Sequence, residues 1–423
     1  MVFVTGFRGF VLRNRSVFRM GLAALVIAAT ADLVAGLFLG GMEEYIVLIP
    51  GMMVLVYSAI GMRGNIFGAM GSRLGTSMHM GTFEMSFKRG STLRSNIESS
   101  IALTFVISLA MGIMGWAIIT AMGTESDIWG FTFISMTGGL LAGLVLLVFN
   151  VTIAREGHKR DWDVDNITAP LIAAAGDIVT MPMLFVSAWL VMNYNPSFFS
   201  IGDNSVNLVV VLTVVMIIVT FIIMGSVLSR KAKTTRMDEA KRILIQSTPI
   251  LLMCLVLDIF AGLAIEGRKE SLVELTVLLI LMPAFLNEGN ALSGMLTSRL
   301  SSMLHLGTLK ADRFPGRDAD ENFAVTYILA AVTFAFIGVI ASVATLLVYD
   351  GGLGIGFWQV MLIVLLAGMI TTTVLNFLSY YVAIAAVKFN LDPDDHSIPI
   401  TSSSMDLISA LVLIGVILLL APL

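Results

Sequence analysis

Two aspartates lie within apolar stretches at corresponding places in the two halves of this 423-residue chain. Asp177 and Asp406 each stand seven residues after a proline, Pro170 or Pro399. Because a carboxylate in hydrocarbon costs several kcal/mol, an aspartate in such a stretch indicates a functional site. Carboxylate, amide and carbonyl oxygens suit Mg²⁺ and Ca²⁺, and Mg²⁺ keeps much of its water when it binds. The spacing therefore predicts a divalent-cation site that the chain builds twice.

Four further polar residues recur at matching positions of the two halves: Asp32, Asp258, Asn65 and Asn290. We predict that these carboxylates and amides bind the ion beside the two aspartates, or bind a coupling ion. A second set shares their helical faces or adjoins them in sequence, and we predict that it lines the path: Ala173, Thr180, Ser402, Ser409, Arg63, Asn287 and Glu288. The alternative for each carboxyl or amide is a contact that only joins neighbouring helices.

One pair within this set carries opposite charges at equivalent positions. Arg63 and Glu288 each stand two residues before the repeated asparagine, Asn65 or Asn290. Charged side chains inside a membrane commonly pair with one another. We therefore predict an ion pair between Arg63 and Glu288 across the axis that relates the two halves.

The composition places these residues in a membrane. The chain is 57% hydrophobic and 13% charged, with a mean hydropathy of +0.93, whereas soluble domains are roughly 25% charged. Apolar stretches of about 20 residues recur along the whole length, and we predict eleven membrane-spanning helices. The second and eighth, at about 44–72 and about 271–304, contain Gly and Pro and are predicted to be broken or tilted. The fold class is therefore an all-α polytopic membrane protein.

An internal repeat organises the eleven predicted spans. The segment Asp32-Leu-Val-Ala-Gly-Leu37 matches Asp258-Ile-Phe-Ala-Gly-Leu263, which lies 226 residues later. Each repeat has five spans, an odd number, and the uncharged sixth span between them restores the orientation of the second repeat. We predict two parallel five-helix repeats related by a pseudo-twofold axis along the membrane normal, as in a fused symmetric dimer.

These features divide the chain into a cytoplasmic tail 1–16, a first repeat 17–205, a linking helix and basic loop 206–242, and a second repeat 243–423. Lys and Arg concentrate in alternate loops, which predicts a multi-pass plasma-membrane protein with its N-terminus in the cytoplasm and its C-terminus outside. The basic run 230–242 is predicted to contact anionic membrane lipid, and nothing in it indicates nucleic-acid recognition. Because the paired repeats are internal, the chain is expected to act as a monomer.

Paired motifs carry a family resemblance over nearly the whole chain. One runs from Met62-Arg-Gly-Asn65 through Ser72-Arg-Leu74, and another from Asp163-Val-Asp-Asn166 through Gly176-Asp177, with partners in the second half. The chain resembles the membrane domain of the MgtE magnesium channels, and more closely the two-repeat solute carrier family 41 magnesium transporters. The resemblance implies a central path between the repeats, Mg²⁺ as the cargo, and Asp177 and Asp406 as the pore aspartates.

The chain departs from that family in two respects. Its N-terminal tail and loops are too short for the cytoplasmic regulatory domains of bacterial MgtE. We therefore expect that gating by such domains is absent. Ala169 and Ile398 precede the two prolines, where the family can have asparagine, and this changes the donors available at the site.

We therefore predict a transporter rather than an enzyme, in which Mg²⁺ crosses the membrane between the repeats and is bound by the two fifth-helix aspartates. The first alternative is Na⁺- or H⁺-coupled Mg²⁺ exchange, with Asp32 and Asp258 as the coupling carboxylates. A remote alternative is an intramembrane aspartyl protease, because Ala175-Gly176-Asp177 weakly resembles the Gly-x-Gly-Asp pattern of such enzymes. The duplication of the polar positions favours a symmetric path over that alternative.

Overall fold

A computed structural model of the chain describes residues 10, 14–79, 81–88, 90–160, 164–194, 199–201, 204–230, 238–305, 307–349, 353–389 and 398–421. Most of the predicted tail 1–16, residues 231–237 of the basic run, and Asp163 of the second motif lie outside these residues.

The described residues form thirteen helices and two short strands. In chain order they are α1 (Arg15–Gly40), α2 (Glu43–Leu48), α3 (Met52–His79), α4 (Thr92–Ala121), α5 (Ile128–Arg160), α6 (Val164–Tyr194), β1 (Phe199–Ile201), β2 (Asn204–Val206), α7 (Leu208–Leu228), α8 (Glu239–Glu266), α9 (Lys269–Glu274), α10 (Thr276–His305), α11 (Arg317–Val348), α12 (Phe357–Phe389) and α13 (Ile398–Leu420). Eleven of the helices are long and apolar enough to cross a membrane, which confirms the predicted class. The antiparallel β1–β2 pair between α6 and α7 was not predicted.

The second and eighth predicted spans are each divided into a short helix and a long one. A turn at Pro50 and Gly51 separates α2 from α3, and Gly51 has a φ of +84°, which favours glycine. The Glu266 carboxylate accepts hydrogen bonds from the backbone N–H groups of Gly51 and Met53 at 2.8 and 3.1 Å. These bonds satisfy donors that the first turn of α3 leaves without an intrahelical acceptor. In the second half, α9 and α10 are separated at Leu275.

Side-chain caps fix the start of three long helices. Ser91, Asn207 and Asp238 precede α4, α7 and α8, and each side chain accepts a hydrogen bond from a backbone N–H of the first turn. Such caps stabilise a helix by about 1 kcal/mol each, and they place the helix boundary at a defined residue.

The chain divides into two compact units, which we call unit 1 and unit 2. Unit 2 comprises Phe38–Glu270, and in it α3 packs along α4, α6 and α8. Unit 1 comprises Met1–Leu37 and Ser271–Leu423, and in it α10 packs along α11, α12 and α13. In each unit a broken second span, α3 or α10, is therefore the helix around which the others pack.

The first helix of each predicted repeat packs in the unit that contains the later helices of the other repeat. Gly36 of α1 lies against the Ile280 backbone of α10 in unit 1, and Gly262 of α8 lies against the Val54 backbone of α3 in unit 2. A methyl group at either glycine would collide with that backbone, so the glycines permit the close helix contact that small residues give in membranes. The boundaries of the two compact units therefore differ from those of the predicted repeats. The repeat boundaries and the pseudo-twofold relation stay predictions.

An ionic cluster attaches the linking helix α7 to unit 2. Arg230, two residues beyond the end of α7, donates a hydrogen bond to Glu98 of α4, and its Nη1 lies 3.9 Å from Asp238 Oδ1 at the start of α8. Arg94 Nε donates to the same Glu98 carboxylate at 2.8 Å. The hydrogen bond to Glu98 raises the pKa of Arg230, so the guanidinium stays charged at physiological pH.

Candidate ion-binding site

Unit 1 brings together two of the residues predicted to bind the ion. Asp406 lies on α13 and is 8% exposed, and its Oδ1 accepts a hydrogen bond from Asn290 Nδ2 of α10 at 2.8 Å. The amide oxygen of Asn290 has no hydrogen-bond partner among the described residues. An amide has both donors and an acceptor. The Asn290 N–H therefore orients the Asp406 carboxylate, while the Asn290 amide oxygen remains available to a cation.

Two buried hydroxyl residues lie beside Gly289, the residue before Asn290. The Cα of Gly289 faces Ser409 and Thr371, since an added methyl group there would lie 2.8 Å from Ser409 Oγ and 3.7 Å from Thr371 Cγ2. Neither hydroxyl oxygen has a hydrogen-bond partner among the described residues. We call the set Asp406, Asn290, Ser409 and Thr371 the Asp406 cluster; Ser402, the other predicted neighbour on α13, is half-buried.

Thr371 was not among the residues predicted from the sequence. It lies on α12 in the run Thr371-Thr-Thr373, and its side chain is fully buried. A threonine in a membrane span ordinarily bonds to a carbonyl of its own helix, as Thr372 does to Gly368 at 2.7 Å. The run of three consecutive hydroxyl residues in α12 was a weak signal in the sequence, since most threonines in helices bond to their own backbone.

The corresponding residues of unit 2 lie on two helices that pack together. Asp177 is on α6 and 4% exposed, and Asn65 is on α3 and 6% exposed. Thr180, one turn after Asp177, is fully buried, and its hydroxyl has no partner among the residues that the structure describes. Ala173 lies one turn earlier on the same helix. We call Asp177 and Asn65 the Asp177 pair.

The second pair of aspartates occupies equivalent places in the two units. In unit 1, Asp32 of α1 accepts a hydrogen bond through Oδ2 from Asn287 Nδ2 of α10 at 2.8 Å. In unit 2, Asp258 of α8 lies against Gly61 of α3, where a methyl group would collide with its carboxylate. Gly61 and Asn287 are 226 residues apart, as are Asp32 and Asp258. Both carboxylates are buried, but only the one in unit 1 faces an amide at this position.

Arg63 and Glu288 stand at equivalent positions of the two halves. Arg63 Nη2 donates to Ser108 Oγ of α4 at 2.9 Å, whereas the Thr333 hydroxyl of α11, 225 residues after Ser108, donates to the Leu329 carbonyl of its own helix at 3.0 Å. Both charged side chains are buried, at 0% and 2% exposure. The predicted ion pair between Arg63 and Glu288 stays a prediction.

The chemistry of the Asp406 cluster is that of mixed oxygen donors. It offers one carboxylate, one amide oxygen and two hydroxyl oxygens, which are hard ligands for a cation or for the water that a cation carries. Within the part of the chain that the structure describes, no three side chains of His, Cys, Asp or Glu come together.

Comparison with known proteins identifies the family. The sequence model of the MgtE family, described as a divalent cation transporter, matches residues 56–187 and 282–416, more than half of the chain. Solute carrier family 41 member 3 of Rattus norvegicus is 22% identical over 91% of this chain and 83% of its own length. The Mus musculus protein of the same name is 23% identical over 88% and 76%. Solute carrier family 41 member 2 of Homo sapiens is 22% identical over 40% of this chain and 30% of its own length.

No solved structure matches the chain at a significant level. The two matched stretches begin within α3 and α10 and end within α6 and α13, so they contain both the Asp177 pair and the Asp406 cluster. Together with eleven apolar helices, this match shows an integral multi-pass membrane protein. The chain belongs to the MgtE family of divalent cation transporters.

Proposed function

We propose that this transporter carries Mg²⁺ and that the Asp406 cluster binds the ion during its passage. The observation that carries the proposal is the 2.8 Å hydrogen bond from Asn290 to Asp406, which joins two membrane-spanning helices, α10 and α13. A carboxylate at this depth is expensive unless a cation or a donor compensates it. Asn290 compensates it in part and adds an amide oxygen that no described group uses.

The donors of the cluster suit a hydrated Mg²⁺ ion. Mg²⁺ is bound in octahedral geometry, usually by one or two carboxylates, and keeps several of its water molecules. Asp406 supplies the negative charge, and the oxygens of Asn290, Ser409 and Thr371 can accept hydrogen bonds from those waters. A larger, softer or fully dehydrated ion would require more direct ligands than one carboxylate and three neutral oxygens provide.

The same role is proposed for the Asp177 pair in unit 2. Asp177 and Asn65 are the equivalents of Asp406 and Asn290, and they lie on helices that pack together. The path would then contain two ion-binding stations with different neighbours, since Ser402 and Ser409 flank Asp406 where Ala173 and Thr180 flank Asp177. The prediction that both stations face one central path rests on the repeat alone.

Mg²⁺ flux into proteoliposomes that contain a fluorescent Mg²⁺ indicator tests the assignment. Asp406→Asn and Asp177→Asn keep the side-chain shape but remove the charge, so each should lower the flux at least about tenfold. Ser342→Ala and Ser187→Ala are matched controls, because these buried hydroxyls bond to carbonyls of their own helices, Gly338 and Met183. Unchanged flux in Asp406→Asn, with normal reconstitution, would refute the role given to the cluster.

A second candidate function is Na⁺- or H⁺-coupled Mg²⁺ exchange. The observation in its favour is a second set of buried carboxylates, Asp32 at 1% and Asp258 at 0% exposure, outside the Asp406 cluster. Flux measured with and without a Na⁺ or pH gradient separates coupled exchange from passive transport. If either gradient drives Mg²⁺ uphill, Asp32→Asn should abolish that accumulation.

A further inference from the structure

Arg63 is a buried charge that the proposed transport mechanism does not use. It lies within the membrane-spanning helix α3 and is 0% exposed. Its Nη2 donates to Ser108 Oγ at 2.9 Å, and the absence of a side chain at Gly139 of α5 makes room for it, because a methyl group there would lie 2.5 Å from Nη2. The fold of unit 2 thus contains a specific place for a guanidinium group.

No carboxylate of the described residues lies within ion-pair distance of Arg63, and its Nε and Nη1 have no hydrogen-bond partner there. An arginine side chain stays protonated at every physiological pH. A permanent charge that is buried and has no carboxylate beside it is poorly screened, since the effective dielectric constant of a protein interior is far below that of water. Its electrostatic effect therefore extends to the polar groups around it in unit 2.

Arg63 is on the same helix as Asn65 of the Asp177 pair, and Asp177 is on a helix that packs against it. Arg63 stands two residues before Asn65, a rise of about 3 Å along the axis, and the two side chains leave the helix in different directions. A second cation brought to this region meets repulsion from the guanidinium, and a doubly charged ion meets twice the repulsion of a singly charged one.

The equivalent position of unit 1 carries the opposite charge type. Glu288 stands two residues before Asn290, as Arg63 stands two residues before Asn65, and its side chain is buried. Arg63 and Glu288 are 225 positions apart, as are Asn65 and Asn290, so the repeat places a basic residue beside one asparagine and an acidic residue beside the other. The Oε1 atom of Glu288 has no hydrogen-bond partner among the described residues.

We propose that Arg63 is a built-in cation that weakens divalent-ion binding at the Asp177 pair, so that the transporter holds its ion more tightly at the Asp406 cluster. The inference rests on the proposed function. It adds a difference in ion affinity between the Asp177 pair and the Asp406 cluster, which the sequence repeat alone does not predict. An ion that meets stations of unequal affinity remains bound mainly at one of them, which makes Arg63 a determinant of affinity rather than a ligand.

Isothermal titration of the purified full-length protein with MgCl₂ tests this proposal. In an Asp406→Asn background the remaining binding belongs to the Asp177 pair. Adding Arg63→Gln should strengthen that binding at least about tenfold, because it removes a positive charge from a poorly screened region. Adding Arg63→Lys instead keeps the charge and should leave the binding weak.

Three results would overturn the proposal. Arg63→Gln could leave the affinity unchanged, Arg63→Lys could strengthen it as much as Arg63→Gln, which would indicate packing rather than charge, or Arg63→Gln could weaken it. The last result would support the predicted ion pair with Glu288 instead. The melting temperature of each variant shows whether it is folded.

A second variant keeps the test informative if Arg63→Gln does not fold. In the Asp406→Asn background, Ser108→Asp places a carboxylate against the Arg63 guanidinium and should strengthen Mg²⁺ binding several-fold, whereas Ser108→Asn should not. Unchanged affinity in Ser108→Asp contradicts the proposal. Failure of the proposed function looks different, since Asp406→Asn alone would then leave Mg²⁺ binding of the otherwise native protein unaltered.

Discussion

Among single residues, Asn290 has the most closely defined role. Its amide donates to Asp406 at 2.8 Å, and its oxygen lacks a partner among the described residues. The same side chain therefore both orients the carboxylate and offers a ligand oxygen, so its removal should affect the ion more than the fold.

Asn290→Leu is expected to weaken Mg²⁺ binding about tenfold, because a buried carboxylate loses its donor and the ion loses one oxygen. Titration calorimetry with MgCl₂ measures the change. Asn322→Leu is the control, since Asn322 is also a buried asparagine of unit 1 but donates to the Asp318 carbonyl of its own helix at 2.8 Å. Equal losses of affinity in the two variants would show that Asn290 matters only for stability.

Repetition made Asp406 and Asn290 predictable from the sequence, and Ser409 followed from its helical spacing to Asp406, whereas Thr371 carried only a weak signal. Asp406 and Asn290 stood out because each recurs in the other half at the same place in an apolar helix. Thr371 was missed because threonines in helices usually bond to their own backbone, so their presence does not indicate a ligand. Which hydroxyls lack such a bond depends on the rotamer and the neighbouring helix, and only the folded structure contains that information.

At the scale of helices, glycines determine which helices pack together. Gly36 and Gly262 bring α1 onto α10 and α8 onto α3 with direct backbone contact. Lipid tails are as apolar as leucine, so helices in a membrane associate through close packing rather than through the hydrophobic effect. Loss of one such contact should therefore destabilise the whole unit.

Gly262→Ala should lower the free energy of unfolding by about 1–3 kcal/mol, because the new methyl group meets the Val54 backbone. Thermal denaturation in detergent measures this. Gly225→Ala on α7 is the matched control, since no atom lies within 4 Å of a methyl group at that position. Replacing a helix glycine that has no such contact by alanine raises the free energy of unfolding by roughly 0.5–1 kcal/mol. Similar melting temperatures for the two variants would contradict the packing role of Gly262.

Hydropathy predicted the eleven membrane-spanning helices, but it did not predict which of them pack together. Apolar length predicts a span. The Gly and Pro residues of the second span predicted that it is broken or tilted, and the structure places the break at Pro50 and Gly51. Hydropathy does not indicate which helices pack together. The sequence therefore did not predict that α1 packs with the later helices of the second repeat, or that α8 packs with those of the first repeat. The short β1–β2 pair was also missed, because three-residue strands are too short to show a period of two.

At the scale of the whole molecule, the two halves of the sequence depend on each other. Asp32 comes from the first half of the chain and receives its hydrogen bond from Asn287 of the second half, within unit 1. Neither half alone contains both groups, so each predicted repeat needs the first helix of the other to complete its buried polar contacts.

Exchange of the two side chains tests this dependence. Asp32→Asn and Asn287→Asp should each lower Mg²⁺ flux, whereas the double variant restores one carboxylate and one amide and should recover much of the loss. A double-mutant cycle on the flux measures the coupling. Asp32→Asn combined with Ser187→Ala should be additive, since Ser187 bonds within α6 of unit 2. Additive effects for Asp32 and Asn287 would show that their contact has no functional role.

The central claim is that Mg²⁺ binds at the Asp406 cluster, and the most direct measurement is the Mg²⁺-dependent shift in melting temperature of the purified protein. A ligand at about 100 times its Kd stabilises the folded state by about 2.7 kcal/mol, which raises the melting temperature by several degrees. We expect this shift in the native protein and in Ser342→Ala, and its near-complete loss in Asp406→Asn. A full Mg²⁺-dependent shift in a folded Asp406→Asn protein would contradict the claim.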